Sequence, residues 1–201
     1  KENKLKGGRI RLAAWRQGWQ LHFAVMVIPR LAFSENVYRR GFSAGVYPRR
    51  FNRPFQLAKV KSLDYKFFIR AYEYALKNDH QEAILLNTGG QVVEGSRSNI
   101  FYVKDRRLFT PALSCGCLAG VTRQVILSLA KNLGIKTFAG EATVADLQNS
   151  REAFLTNALV GIMPLTYFNG HKIAAGQPGP ITKSLTKSYK KLSQKYCTFL
   201  V

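Results

Sequence analysis

Apolar residues in this chain fall mostly into short alternating runs, interrupted by three stretches of helical period. Residues 9–15 and 21–28 alternate as strands, the second closed by Pro29, and 41–47 begin another before Pro48, with 34–41 read as loop. From Tyr65 the apolar positions Tyr65, Phe68, Ile69, Tyr72, Ala75 and Leu76 recur on one helical face. Asp64 is the expected N-cap, and the helix is expected to end near Asn78. Residues 83–87 read as a strand and 88–91 as a turn. Residues 92–103 then read as one long strand, with Val92, Glu94, Ser96, Ser98, Ile100 and Tyr102 on the same face.

The second half continues in the same manner. Residues 105–107 turn the chain into a strand over 108–111. Gly120 leads a helix that places Val125, Ile126, Leu129, Ala130 and Leu133 together and stops at Gly134. Strands are predicted at 136–143, 153–159 and 161–168, a short helix at 144–149, and a two-residue hairpin turn at Asn169-Gly170. Pro180 occupies the first position of a last helix, with Ile181, Leu185, Tyr189, Leu192 and Tyr196 along one side.

Charge complicates this picture. Lys and Arg number 31 against 11 Asp and Glu, a net charge of +20. Such a surplus draws phosphates and acidic partners. It is scattered, however, and a solvated surface accounts for it as well as a nucleic acid does. The segment Arg49-Arg50-Phe51-Asn52-Arg53-Pro54 could stack on a base, or simply be a loop that packs Phe51. Cys115, Cys117 and Cys197 cannot all pair and lack zinc spacing, so reduced thiols in a reducing compartment are expected. His22, His80 and His171 stand too far apart for a metal motif. No apolar run is long enough to span a membrane.

Two residues stand out chemically. Glu94 lies in an apolar run, where a carboxylate is costly unless it is paired. A salt bridge to Arg97, Arg106 or another of the many cations is the plain explanation. Lys61 sits in the lead-in to a helix, beside Tyr65. A lone lysine there is ordinarily solvated. The Gly120 helix start offers unpaired N–H groups and the positive end of a dipole, suited to a phosphate or to nothing but water.

Taken together, KSLDY at 61–65, LLNTGGQVVEGSRSNIFYV at 85–103, LFTPALSCGCLAGVTR at 108–123, EAFLTNALVGIMPL at 152–165 and GQPGPIT at 176–182 resemble the class IV (fold type IV) pyridoxal-phosphate enzymes. That family includes branched-chain and D-amino-acid aminotransferases and aminodeoxychorismate lyase. The resemblance implies an α+β fold, a barrel-like mixed sheet with flanking helices. It also implies a catalytic domain over 41–201, with 1–40 the remnant of a small N-terminal domain, and a sequence that begins inside a longer product.

The cofactor so implied is pyridoxal 5'-phosphate. Lys61 would hold it as a Schiff base and then move the substrate's α-proton; Tyr65 would bond its phenolic oxygen, and Glu94 would face the ring nitrogen. Val121 and Thr122 would hold the phosphate, and Asn99 would brace the strand. The implied activity is transamination of a small amino acid, with the lyase reaction and an inactive basic binding module as alternatives. A cytoplasmic homodimer taking amino-acid or keto-acid substrates is expected, without nucleic acid or membrane. Two departures stand out: no arginine matches the family's phosphate-binding one, and Ala158 replaces a usual Ser or Thr. Thr156 nearby is expected to point to the other face of its strand.

Overall fold

A computed structural model describes residues 8–29, 33–52 and 60–196, in two compact units divided after Ser34. Cys197, Arg53 and Pro54 lie outside the described residues. In the first unit, β1 (Gly8–Gln17) and β2 (Gln20–Pro29) pair antiparallel in unbroken register. Gly18, at φ +58, makes the tight turn between them. Ile10 faces Val27 and Leu12 faces Val25, and all four remain exposed.

The second unit opens with α1 (Glu35–Arg40) where the pattern predicts loop. Two helical turns carry too little apolar period to register in sequence, yet Val37 and Tyr38 pack against the core. The Tyr38 hydroxyl donates to the Val160 carbonyl at 3.0 Å. This helix, expected with the N-terminal domain, therefore groups with the rest of the chain.

The elements that follow are β3 (Phe42–Val46), α2 (Lys66–Lys77), β4 (Glu82–Leu86), β5 (Val92–Gly95), β6 (Asn99–Lys104) and β7 (Arg107–Pro111). A 3-10 turn (Leu113–Cys115) leads to α3 (Val121–Asn132), β8 (Thr137–Gly140), α4 (Val144–Gln148), β9 (Glu152–Asn157), β10 (Gly161–Phe168), β11 (His171–Lys172) and α5 (Pro180–Tyr196). The strands form one mixed sheet in the order β5-β4-β3-β10-β9-β6-β7-β8, with β11 paired to β10. β10–β3, β3–β4 and β7–β8 run parallel and the other pairs antiparallel. The Val92 N–H donates to the Ala142 carbonyl at 2.7 Å, so the β5 end of the sheet reaches the chain beyond β8. The result is the expected α+β architecture, a sheet curled toward a barrel.

Ile84, Val92, Ile100, Leu155, Met163 and Phe168 fill one side of the curl. On the other side α2 covers Ala83, Leu85 and Val93, and α3 and α5 cover Phe101, Phe154 and Ile162. Among the described residues Ala71 and Ala75 are the buried positions of α2, with Phe67, Phe68 and Tyr74 packed beside them. Ile69 and Leu76 are half exposed. The buried stripe is thus turned from the predicted one, because the two alanines let the helix settle close to the sheet. Asp64 is not the N-cap either. Tyr65 holds that position without a side-chain cap bond, and its carbonyl accepts the Ile69 N–H at 2.8 Å.

The single strand predicted over 92–103 is two strands joined by a turn. Leu85 pairs with Glu94 but Leu86 pairs with Val92, so Val93 is an extra, bulged residue. A bulge re-aims the side chains beyond it. Val92 joins the cluster of Ile84 and Ile100, whereas Val93 joins that of Ala83 and Leu85. Glu94, the register partner of Leu85, is carried to that second side and away from Val92, Ile100 and Tyr102.

Candidate active site

Glu94 is 6% exposed. Its Oε2 accepts from Asn99 Nδ2 at 3.2 Å and from the Leu118 N–H at 3.1 Å. Asn99 Nδ2 also donates to the Leu118 carbonyl at 2.8 Å, and the same carbonyl accepts the Gly120 N–H at 2.8 Å. Leu118 is thereby tied through both of its backbone groups. The first residue of β6 and the loop before α3 are locked to the acid on β5.

Gly120 is the N-cap of α3, in extended conformation with no side-chain cap bond. A Cβ at this position would press on Asn99 Oδ1, so glycine lets the helix start approach Asn99. The first N–H groups of a helix have no partner within it, and here they begin at Val121 and Thr122. The Val121 side chain is 76% exposed, so it can offer only its backbone, while Thr122 is buried. The far end of α3 closes as predicted, with Gly134 at φ +68 and the Ile135 N–H returning to Ala130 at 2.9 Å.

Lys61 and Tyr65 form a second group. The Lys61 amine lies 5.7 Å from the centre of the Tyr65 ring and is exposed. Tyr65 meets Phe68 edge-on at 6.3 Å, and Phe68 meets Phe51 at 5.3 Å. Phe51 shares a buried cluster with Val93 and Cys117. This series of rings leads from the lysine to the bulge that carries Glu94. It also shows Phe51 as a packed core residue, 6% exposed, rather than a ring available for stacking on a base.

Burial first, and then the nearby Glu94 carboxylate, push the Cys117 thiol up to about 12. Burial raises Cys115 as well. A thiol is a poor nucleophile in that state, so the two cysteines are packing groups. Among the described residues no cluster of His, Cys, Asp or Glu could hold a metal.

Two expectations change. Thr156 is the register partner of Asn99 and so shares the face of the site, contrary to the prediction. Its hydroxyl is buried with no hydrogen-bond partner among the described residues. Of the cations expected to pair with Glu94, Arg97 instead lies 3.3 Å over the Tyr72 ring, and the described donors to Glu94 are the two N–H groups given above. Two further buried acids, Glu82 and Glu152, escaped the sequence reading. Each opens a strand as Glu-Ala before an apolar pair (Glu82-Ala83-Ile84-Leu85 and Glu152-Ala153-Phe154-Leu155), the one sequence signal they share.

The family model for amino-transferase class IV matches residues 1–168. The chain belongs to the class IV aminotransferases. Members similar to it include a probable branched-chain-amino-acid aminotransferase from Thermotoga maritima, 39% identical over 56% of this chain and 41% of that protein. A D-alanine aminotransferase from Listeria monocytogenes is 37% identical over 71% of this chain and 49% of its own length. Among solved structures, the branched-chain aminotransferase of Thermoproteus uzoniensis with norvaline is 32% identical at a TM-score of 0.79, covering 88% of this chain and 58% of that one. The branched-chain aminotransferase of Thermobaculum terrenum in its PLP form superposes at a TM-score of 0.80 and 27% identity, over 88% of this chain and 58% of that one. The class IV chain described here spans about half or less of the length of these curated relatives.

Proposed function

We propose that residues 35–196 form the cofactor-holding part of a pyridoxal-phosphate-dependent transaminase acting on a small amino acid. The observation that carries this reading is the Glu94–Asn99–Leu118 lock. It joins a buried acid to an uncapped helix start at Gly120, and a phosphorylated pyridine needs a carboxylate at one end and N–H donors at the other. The donor set fits the group. Glu94 would stand at the ring nitrogen, the Val121 and Thr122 N–H groups and the Thr122 hydroxyl at the phosphate, and Lys61 with Tyr65 at the aldehyde side. Asn99 would hold Glu94 in place.

When bound, pyridoxal phosphate supplies an electron sink for the bond broken at the substrate's α-carbon. The chain supplies the rest. Lys61 provides a mobile amine to carry the proton between the substrate's α-carbon and its destination. Glu94 would place its carboxylate at the ring nitrogen in a water-poor position, where such a charge acts more strongly than in solvent. The relatives named above are branched-chain and D-alanine aminotransferases, which supports transamination rather than the lyase reaction. In this reading residues 1–34 belong to a separate small domain, the protein is a cytoplasmic homodimer, and amino and keto acids are its substrates.

The test is direct. Incubation with pyridoxal phosphate followed by borohydride should fix one cofactor per chain to Lys61, located by peptide mass. Lys61→Ala should lose the adduct entirely while melting within a degree or two of the parent. A folded parent protein that takes up no cofactor, or one that is labelled equally well without Lys61, would overturn the proposal.

A further inference from the structure

The four residues 95–98 decide how far Glu94 sits from Asn99, and they are held by a group the mechanism does not use. Glu82 opens β4 and is 3% exposed. Its Oε1 accepts the Ala83 N–H at 3.0 Å and the Ser96 hydroxyl, and its Oε2 accepts the Ser98 hydroxyl at 2.8 Å. The turn is closed by its own backbone too, with the Gly95 N–H on the Ser98 carbonyl at 2.7 Å and the Ser96 N–H on Ala83 at 2.8 Å. A Cβ on Gly95 would come within 3.0 Å of the Glu82 Cγ and Cδ. The carboxylate therefore lies directly against the turn.

We propose that Glu82 is a positioning residue for the site: its carboxylate sets the 95–98 turn and so fixes Glu94 against Asn99. The inference rests on the cofactor reading above. A carboxylate suits the task because it offers acceptors only, on two oxygens, to three donors. The outer side of the turn is anchored independently. The Arg97 guanidinium lies over Tyr72, and the Arg97 carbonyl accepts from Asn157 Nδ2 at 3.0 Å. Loss of Glu82 leaves these anchors in place and releases the inner side, next to Glu94. The two serine hydroxyls and the Ala83 N–H would then be buried without acceptors, which favours a shifted turn.

The experiment compares the parent with Glu82→Gln, Glu82→Ala and, as a control, Glu152→Ala, which removes an equally buried acid on β9. Amide hydrogen exchange over 95–99 is measured without cofactor, and the pyridoxal-phosphate dissociation constant by absorbance titration. The expected result is exchange over 95–99 at least tenfold faster and binding at least fivefold weaker in Glu82→Ala. Glu82→Gln should fall between it and the parent, because serine hydroxyls can turn to meet an amide. Glu152→Ala should leave cofactor affinity within twofold and speed exchange over 95–99 no more than over the rest of the sheet. Unchanged exchange, unchanged cofactor affinity, or equal losses in the Glu152 control would each overturn the assignment. If the folded parent binds no cofactor, the functional reading fails with it, and the exchange data still show whether Glu82 holds the turn.

Discussion

Glu94 and Glu152 are buried to the same extent, 6% exposed each, and the molecule uses them differently. Glu152 Oε1 accepts the Ile181 N–H at 3.1 Å, and its Oε2 accepts the Thr182 N–H and hydroxyl, both at 2.7 Å. All three donors belong to the first turn of α5, where a negative charge also meets the positive end of a helix dipole. Gly179 lies so close that a Cβ would collide with the carboxylate. Glu94 takes its described bonds from an asparagine side chain and a loop N–H, both on Oε2. Burial alone does not separate a functional acid from a structural one. The source of the donors does: Glu152 joins a strand to a helix, while Glu94 joins β6 to the loop before the Gly120 helix start, the residues proposed to hold the cofactor.

The largest effect that would sharpen this contrast comes from Glu152→Ala. Removal of the acid leaves two N–H groups and a hydroxyl without acceptors at the start of α5, a cost of about 3 kcal/mol. Urea denaturation should show the unfolding free energy falling by that amount, with cofactor affinity intact. A variant that keeps its stability but loses the cofactor would reverse the roles assigned to the two acids.

Glu94→Gln should do the opposite. The amide is the same size and its oxygen can still accept from Asn99 and Leu118, so the stability cost is about 1 kcal/mol. What disappears is the charge at the ring nitrogen, a charge-assisted bond of about 1.5–3 kcal/mol, or roughly a 10- to 100-fold loss of cofactor affinity. Equilibrium titration with pyridoxal phosphate measures this. If affinity stays within twofold of the parent, Glu94 is a second scaffold acid like Glu152.

The contrast also explains what could be read in advance. Strands at the hairpin, β9 and β10 and the glycine-bounded α3 were legible, because alternation and helix punctuation are local signals. The face of Glu94 was not. One inserted residue, Val93, breaks the alternation, and a bulge depends on the partner strand β4. The buried side of α2 was misread for a related reason, since Phe67 and Phe68 are neighbours in sequence and both pack inward. Glu82 and Glu152 were missed because strand-opening acids look solvated until the chain brings back Ser96 and Ser98, or Ile181 and Thr182. Lys61, Tyr65, Glu94, Asn99 and Thr122 were singled out through motif order, which hydropathy alone does not carry, and their roles toward the cofactor are the proposal that the variants here test.

A partly exposed acid gives the smallest effect and sets the scale for the buried pair. Thr143 and Asp146 cap α4 reciprocally: the Asp146 N–H donates to Thr143 Oγ1 at 3.1 Å, and the Thr143 N–H donates to Asp146 Oδ2 at 3.0 Å. The Thr143 hydroxyl bond, above all, lowers the Asp146 pKa, with a smaller contribution from Lys104 at 3.7 Å. A carboxyl lowered in the folded state stabilises it at pH values above the ordinary carboxyl range, and the gain is lost as pH falls through the folded value. Asp146→Asn should therefore cost less than about 1 kcal/mol at neutral pH, because the pair is partly exposed. The difference from the parent should vanish in acid. Unfolding free energies from urea denaturation at both pH values decide the matter: a gap that persists in acid would mean that Asp146 acts through packing rather than charge, and a gap near about 3 kcal/mol would place it with Glu152.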